Sequence, residues 1–190
     1  NKLVGTLIGV NSENSKAGIK IVDFSEVPSD ILPLIVSLIA RLSFSVQQWT
    51  KSEERHPIAL LCDEAHLYIP NKSSSSSSDE ISLSIFERIA KEGRKYGLSL
   101  VVISQRPSEV NRTVLSQCSN FIAMRLTNTD DQMVIKKLLP DNLGGFGDIL
   151  PILDTGEALV VGDASLLPSR IRIDKPLKTP DSGTVEFWDE

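Results

Sequence analysis

Two adjacent carboxylates follow an apolar run in the middle of the chain. Ile58–Cys62 consists of four apolar residues and a cysteine, and Asp63 and Glu64 come directly after it. The length and flanks of the run predict a strand that is buried on both faces. A carboxylate fixed at a strand end can hold a hydrated Mg²⁺ that bridges nucleotide phosphates, and a second carboxylate can polarise a water for attack on the terminal phosphate. An exposed loop that begins with two acids explains the same residues equally well.

A glutamine stands at the corresponding place after the next apolar run. Residues 98–103 predict a second buried strand, and Ser104, Gln105 and Arg106 follow it. Ligands of parallel α/β sheets bind beyond the carboxyl ends of the strands. An amide at this place can reach the same terminal phosphate and orient the water. A polar residue that merely opens a surface loop is the alternative.

A basic turn lies between the two runs and contains Lys91, Arg94 and Lys95. Cations at the end of a helix are stabilised by the helix dipole, so the turn needs no functional explanation. Arg94 can also be presented to the nucleotide of a neighbouring subunit. A guanidinium suits this role because it stays charged and its planar fork matches phosphate oxygens.

The segments that must position these residues alternate along the chain. Apolar runs predict strands, and helical spacing of apolar residues predicts helices. The predicted strands are 19–23, 58–62, 98–103, 121–125, 157–161 and 170–173, and the predicted helices are 31–47, 81–94, 109–117 and 130–139. This alternation predicts an α/β fold with a mostly parallel sheet.

The composition is that of an ordinary globular protein with a small acidic excess. The 190 residues include 25 acidic and 20 basic side chains, which gives a net charge of −5. A uniformly basic surface for nucleic acids is therefore excluded, whereas a local basic patch is not.

The longest apolar stretch, 31–40, is too short to span a bilayer, and Cys62 and Cys118 do not indicate a disulfide framework. A cytoplasmic protein without membrane contact is the simplest interpretation.

Three segments, taken in order, resemble the motor domain of the HerA/FtsK superfamily. They are residues 60–66 (LLCDEAH), 92–97 (EGRKYG) and 104–107 (SQRP). Two later segments, 156–162 and 168–173, are more similar to HerA than to FtsK. The resemblance covers about residues 18–173. It implies a hexameric ATPase of the RecA-like fold that moves double-stranded DNA.

Carried over position by position, the resemblance implies a role for each candidate residue. Asp63 would help to hold Mg²⁺, Glu64 would be the catalytic carboxylate, and Gln105 would sense the terminal phosphate of ATP. Arg94 would be an arginine finger that acts in trans, with Arg88 as a weaker competitor. The implied partners are further copies of the chain in a homohexameric ring, double-stranded DNA, and a nuclease or a phage-defence effector. DNA-end processing and phage defence are both implied.

One element of the family is missing from the sequence. No G-x-x-x-x-G-K-[ST] phosphate loop occurs, and neither Gly5 nor Gly9 is followed by a Lys-Ser or Lys-Thr pair. We therefore interpret residues 1–173 as the C-terminal portion of a three-layer RecA-like ATPase domain that lacks its N-terminal phosphate-loop part. Residues 71–79 are expected to form a flexible serine-rich loop, and 174–190 a C-terminal tail. Without the phosphate cradle, the chain alone is expected to be inactive.

Two other interpretations stay open. Residues 63–66 match the box of the DEAH helicases, although residues 104–107 differ from the Ser-Ala-Thr type motif of those proteins. A non-catalytic assembly or interaction fragment of a HerA-like ATPase would also lack the phosphate loop. A zinc site at Cys62 and His66 is rejected, because no further ligand pair accompanies them.

Overall fold

The computed structural model describes residues 18–71, 77–139 and 141–178. The chain divides into two compact units, Asn1–Ser119 and Asn120–Glu190. Each unit has a hydrophobic core of its own. Within the described ranges, no helix combines the length and the apolar composition that crossing a bilayer demands.

The first unit is built around two parallel strands. They are β1 (Ile58–Cys62) and β2 (Leu98–Val102), paired in register from Ile58 with Leu98 to Cys62 with Val102. The described α-helices of this unit are α1 (Leu32–Trp49), α2 (Ser77–Glu92) and α3 (Arg112–Ser116). Because the strands are parallel, their carboxyl ends lie at one edge and their amino ends at the other.

The core of the first unit joins the helices to the strand pair. Helix α1 has a proline in its first turn, where the missing N–H costs nothing. It buries Val36, Ala40 and Phe44, which are spaced four residues apart and therefore lie on one helix face. The other buried members of this core are Cys62, Ala65, Tyr68, Ile69, Leu83, Ile85, Phe86, Ile89, Leu98 and Val114.

A buried glutamine ties α1 to the amino edge of the strand pair. The Gln47 side chain is 3% exposed, and its Nε2 donates to the carbonyls of His56 at 2.7 Å and Gly97 at 3.1 Å. The same Gly97 carbonyl accepts the Ile58 N–H at 2.8 Å. This cluster satisfies polar backbone groups that would otherwise be buried without partners.

A glycine sets the approach of α2 to β2. The two are joined by a 3₁₀ turn, Gly93–Tyr96. A Cβ atom added at Gly93 would lie 2.3 Å from the carbonyl oxygen of Leu98 and 3.2 Å from Cγ2 of Ile89. The nearer of these contacts is backbone, which cannot rotate away. Only glycine therefore fits at this position.

The second unit carries an antiparallel sheet in the order β3–β4–β5. The strands are β3 (Asn120–Ala123), β4 (Glu157–Gly162) and β5 (Ser169–Arg172). Helix α4 (Thr129–Leu138) begins after Asn128, whose side chain accepts the Asp130 N–H at 2.8 Å. A 3₁₀ segment, Asp141–Ile152, lies between α4 and β4. Leu150, Leu153 and Leu159 form the centre of this core.

Most predicted elements are confirmed, with bounds that differ by a few residues, but two predictions are wrong. The burial of 58–62 on both faces is the first, because Leu61 of this strand is 64% exposed. The strand at 19–23 is the second. The segment is not paired, and the side chains of Ile19 and Ile21 are 94% and 84% exposed. A strand exists only where another strand accepts its hydrogen bonds, and no described segment does so there. Residues 121–125, 157–161 and 170–173 do form strands, but their pairing is antiparallel.

The predicted serine-rich loop at 71–79 is too long by at least three residues, because α2 begins at Ser77. Serine is favoured at helix N-termini, so a serine run does not exclude the start of a helix. Residues 72–76 lie outside the described residues. Of the predicted tail at 174–190, the described part up to 178 forms no helix or strand.

We expect Gly93→Ala to lower the free energy of unfolding by about 1–3 kcal/mol, the usual cost of forcing extra volume into a packed site. Gly145→Ala is the matched control, because nothing lies within 4 Å of a Cβ atom there. Urea unfolding followed by circular dichroism measures both. Equal stabilities for the two variants would contradict the close approach of α2 to β2.

Candidate functional site

The carboxyl edge of the β1–β2 pair brings two of the predicted residues into contact. Two backbone hydrogen bonds continue the pairing beyond the strands: Ile103 donates to Cys62, and Ala65 donates to Ile103, both at 2.9 Å. The segments that follow the strands therefore stay side by side. At their surface, Nε2 of Gln105 donates to Oε1 of Glu64 at 2.8 Å.

Glu64 has an unusual backbone conformation. Its φ and ψ angles are 46° and 44°, and among the described residues it is the one non-glycine residue with positive φ. This left-handed conformation costs roughly 1–2 kcal/mol for an ordinary residue. The conformation persists because hydrogen bonds hold the backbone on both sides. The Ala65 N–H donates to the Ile103 carbonyl, and the Glu64 N–H donates to Oδ1 of Asp63 at 3.0 Å. Strained residues of this kind cluster at functional sites.

Asp63 presents its carboxylate at the surface while its backbone is anchored in the core. The Tyr68 hydroxyl donates to the Asp63 carbonyl at 2.7 Å. Tyr68 is buried and its ring lies 6.1 Å from that of Phe86. Burial raises the pKa of Tyr68, with the neighbouring Cys62 as a smaller cause, so the hydroxyl remains a neutral donor at physiological pH.

The second oxygen of Glu64 faces a histidine for which the sequence predicted no role. Nδ1 of His66 lies 3.3 Å from Oε2 of Glu64 and 3.1 Å from Oγ of Ser104. The His66–Glu64 contact is within ion-pair distance but is not an aligned hydrogen bond, since Oε2 has no hydrogen-bond partner among the described residues. Sequence reasoning missed a role for His66 and for Ser104. The signal that could have found them was their position, two residues after Glu64 and directly before Gln105.

The residues at this edge fit a nucleotide-bound Mg²⁺ rather than a metal caged by protein. Within the described ranges, no group of three or more His, Cys, Asp or Glu side chains could hold a metal ion. Mg²⁺ needs no such group, because it is commonly bound by one or two carboxylates together with phosphates and waters. The exposed carboxylate of Asp63 at the end of β1 matches that donor set.

Arg94 is not brought together with Glu64 and Gln105. It lies in the 3₁₀ turn before β2, at the amino edge of the strand pair. The five residues of β2 span about 17 Å, which separates the two edges within one chain. Arg94 is exposed beside a shallow cavity that it lines with Lys91, Glu92 and Lys95. None of the described residues forms a hydrogen bond or an ion pair with its side chain.

Arg88, the weaker candidate for a finger, is held within its own unit. Its guanidinium lies 4.7 Å above the ring of Phe44, and its Nε lies 3.4 Å from Oε2 of Glu92. A cation stacked on an aromatic ring and paired with a carboxylate has less freedom to reach outward. The structure therefore leaves Arg94 the better placed of the two arginines for contact with another copy.

Curated helicases are similar to most of this chain. The chain is 31% identical over 178 residues to the DNA double-strand break repair helicase HerA of Sulfolobus acidocaldarius, which covers 90% of the chain and 35% of that protein. It is 37% identical over 118 residues to the helicase of the same name from Pyrococcus furiosus, which covers 62% of the chain and 20% of that protein. The chain spans about a third or less of the length of these relatives. No family model matches it.

Solved structures of a genome packaging NTPase and of VirB4 resemble the fold. The genome packaging NTPase B204 from Sulfolobus turreted icosahedral virus 2, in complex with ATP-gammaS, has a TM-score of 0.56 at 14% identity, covering 90% of this chain and 72% of that one. VirB4 of Thermoanaerobacter pseudethanolicus has a TM-score of 0.57 at 19% identity, covering 82% and 40%. At these identities the likeness shows the fold alone. The predicted α/β fold of the P-loop NTPases is confirmed.

Cys62, directly before Asp63, is expected to resist alkylation in the folded protein. Burial raises the pKa of its thiol to about 11 from 9.0, which lowers the reactive thiolate fraction at pH 8 about 100-fold. Iodoacetamide labelling and peptide mass spectrometry measure the rate. Cys118, which is less buried, should react faster, and both should react fully in urea. Labelling of Cys62 at the rate of an exposed cysteine would contradict its burial.

Proposed function

We propose that this chain supplies residues that hydrolyse ATP in an ATP-driven motor that acts on DNA. The chain is related in sequence to the HerA helicases over most of its length. The contact of Glu64 with Gln105 at the carboxyl ends of two parallel strands carries the proposal. The names of the relatives and of the packaging NTPase support DNA as the substrate of the motor.

In this proposal Glu64 takes the proton of the attacking water. General bases of this kind act from hydrogen-bond distance, and Glu64 has one carboxylate oxygen engaged by Gln105. The Gln105 amide has a second N–H and a carbonyl oxygen, which can orient the water or contact the terminal phosphate. Through its contact with Glu64, Gln105 thus links the terminal phosphate to the general base.

Asp63 is the residue that would hold Mg²⁺. One of its oxygens accepts the Glu64 N–H at 3.0 Å, which holds the carboxylate beside the backbone of Glu64. When bound, the ion neutralises charge on the nucleotide phosphates. The sequence carries no phosphate loop. The backbone groups that bind the phosphates therefore have to come from residues other than 60–66, 92–97 and 104–107.

We place Arg94 at the site of a neighbouring copy. It lies at the amino edge of the strand pair, too far from the Glu64 of its own chain to share a phosphate. A finger at this position must therefore act in trans, which requires an assembly, and we propose the homohexameric ring. A nuclease or a phage-defence effector as a further partner belongs to the same proposal.

Glu64→Gln in the complete protein should lower ATP turnover by about 10²–10⁴-fold, because the amide cannot accept the proton. ATP binding should be largely unchanged, since the amide keeps the size of the side chain and its oxygen can still accept from Gln105. Turnover by phosphate release and affinity by fluorescent-nucleotide titration separate the two effects. Glu53→Gln, in an exposed turn at the other edge, is the control. Wild-type turnover in Glu64→Gln would contradict the assigned role.

Arg94→Ala tests the assembly. A finger contributes about 10³–10⁵ in rate, whereas a charge at a helix end contributes only a few tenths of a kcal/mol. Rings of Arg94→Ala subunits and rings of Glu64→Gln subunits should both be inactive. Rings that contain both subunits should regain ATPase activity wherever an intact Arg94 faces an intact Glu64.

Arg88→Ala is the matched comparison for Arg94→Ala, because Arg88 is engaged with its own unit. Full activity of the Arg94→Ala ring, or no recovery in rings shown to be mixed, would rule out a trans finger at this position. A complete protein that neither binds nor hydrolyses ATP would favour the alternative of a non-catalytic assembly fragment.

A further inference from the structure

We infer that His66, itself held by Ser104, is a positioning residue that fixes the carboxylate of Glu64 for its reaction with water. The inference rests on the function proposed above, because it assigns a task to the same carboxylate. It adds two side chains to the site, and both act through Glu64.

The histidine ring is held on the side away from solvent. The His66 side chain is 14% exposed, and its Nδ1 lies 3.1 Å from Oγ of Ser104. The Ser104 oxygen also accepts the N–H of Arg106 at 3.0 Å, so it is itself tied to the backbone after β2. The ring is therefore attached to the same loop that carries Gln105.

Glu64 is contacted on both of its oxygens. Gln105 donates to Oε1 at 2.8 Å, and Nδ1 of His66 lies 3.3 Å from Oε2. Oε2 is buried and has no hydrogen-bond partner within the described part of the chain, so His66 is the polar group placed to compensate it. With an amide on one side and an imidazole on the other, the carboxylate has little freedom to rotate.

The geometry selects one tautomer of the ring. An ionised carboxylate only accepts hydrogen bonds, so a lone pair on Nδ1 would repel Oε2 of Glu64. A proton on Nδ1 can be donated to the Ser104 oxygen, 3.1 Å from Nδ1, and its partial positive charge attracts Oε2, 3.3 Å from Nδ1, without an aligned hydrogen bond. We therefore expect the ring, in its neutral form, to carry its proton on Nδ1 and its lone pair on Nε2.

Loss of this contact should affect the rate rather than the binding of ATP. Catalytic groups must be held close to their productive geometry, and small displacements are costly. Glu64 starts from a strained left-handed backbone, so its side chain depends on these flanking contacts for its direction.

In the complete protein, His66→Ala should lower kcat for ATP about 10- to 100-fold, the usual effect of removing an outer partner of a catalytic group, with KM changed little. His66→Asn should recover most of the rate, because its amide N–H can occupy nearly the same place as Nδ1–H. His56→Ala is the control: this histidine is exposed, precedes β1 at the other edge and should leave kcat unchanged. Wild-type kcat in His66→Ala, or no recovery in His66→Asn, would overturn the inference.

A second measurement does not depend on ATP turnover. Nitrogen-15 NMR of the ring-labelled complete protein, with the His66 signal assigned by its loss in His66→Asn, reports which nitrogen carries the proton. A proton on Nδ1 at neutral pH supports the inference, and a proton on Nε2 alone overturns it. An inactive wild-type protein would overturn the proposed function instead, and the tautomer would still report whether Nδ1 of His66 carries the proton that attracts the Glu64 carboxylate.

Discussion

The parallel pairing of β1 with β2 is the constraint on which the rest of the site depends. Strands in register from Ile58 with Leu98 to Cys62 with Val102 end at the same level, and the backbone bonds of Ile103 carry the pairing past the strand ends. The residues after β1 and those after β2 therefore meet, although they are about forty positions apart in sequence. The contact of Glu64 with Gln105 and that of His66 with Ser104 both follow from this register.

The same pairing places the candidate functional residues at two opposite edges of the strand pair. Carboxylates, amide and imidazole lie at the carboxyl edge, and the basic turn with Arg94 lies at the amino edge. A single chain cannot bring both edges to one phosphate, whereas two copies can. Gly93 and Gln47 fix the amino edge by close backbone approach and by buried hydrogen bonds, so the backbone of the turn that carries Arg94 is held in place.

The sequence predicted the features that depend on local pattern, and it missed several that depend on how strands pair. The runs of β1 and β2 and the polar residues after them were readable because an apolar run and its end are local features. The strand at 19–23 was wrong because its apolar pattern cannot reveal whether a neighbour exists, and the antiparallel order of β3–β5 is likewise a matter of pairing. His66 and Ser104 lie 38 positions apart, so their contact has no signature in either segment, and neither does the left-handed backbone of Glu64.

The most direct test is a structure of the complete protein with Mg²⁺ and a slowly hydrolysed ATP analogue. We expect the terminal phosphate to lie one water molecule from Glu64 and within reach of Gln105, with Asp63 near the ion and with Arg94 supplied by another copy. A nucleotide bound away from the carboxyl edge of β1 and β2 would contradict the assignment of this edge. So would a terminal phosphate contacted by the Arg94 of the same chain as its Glu64.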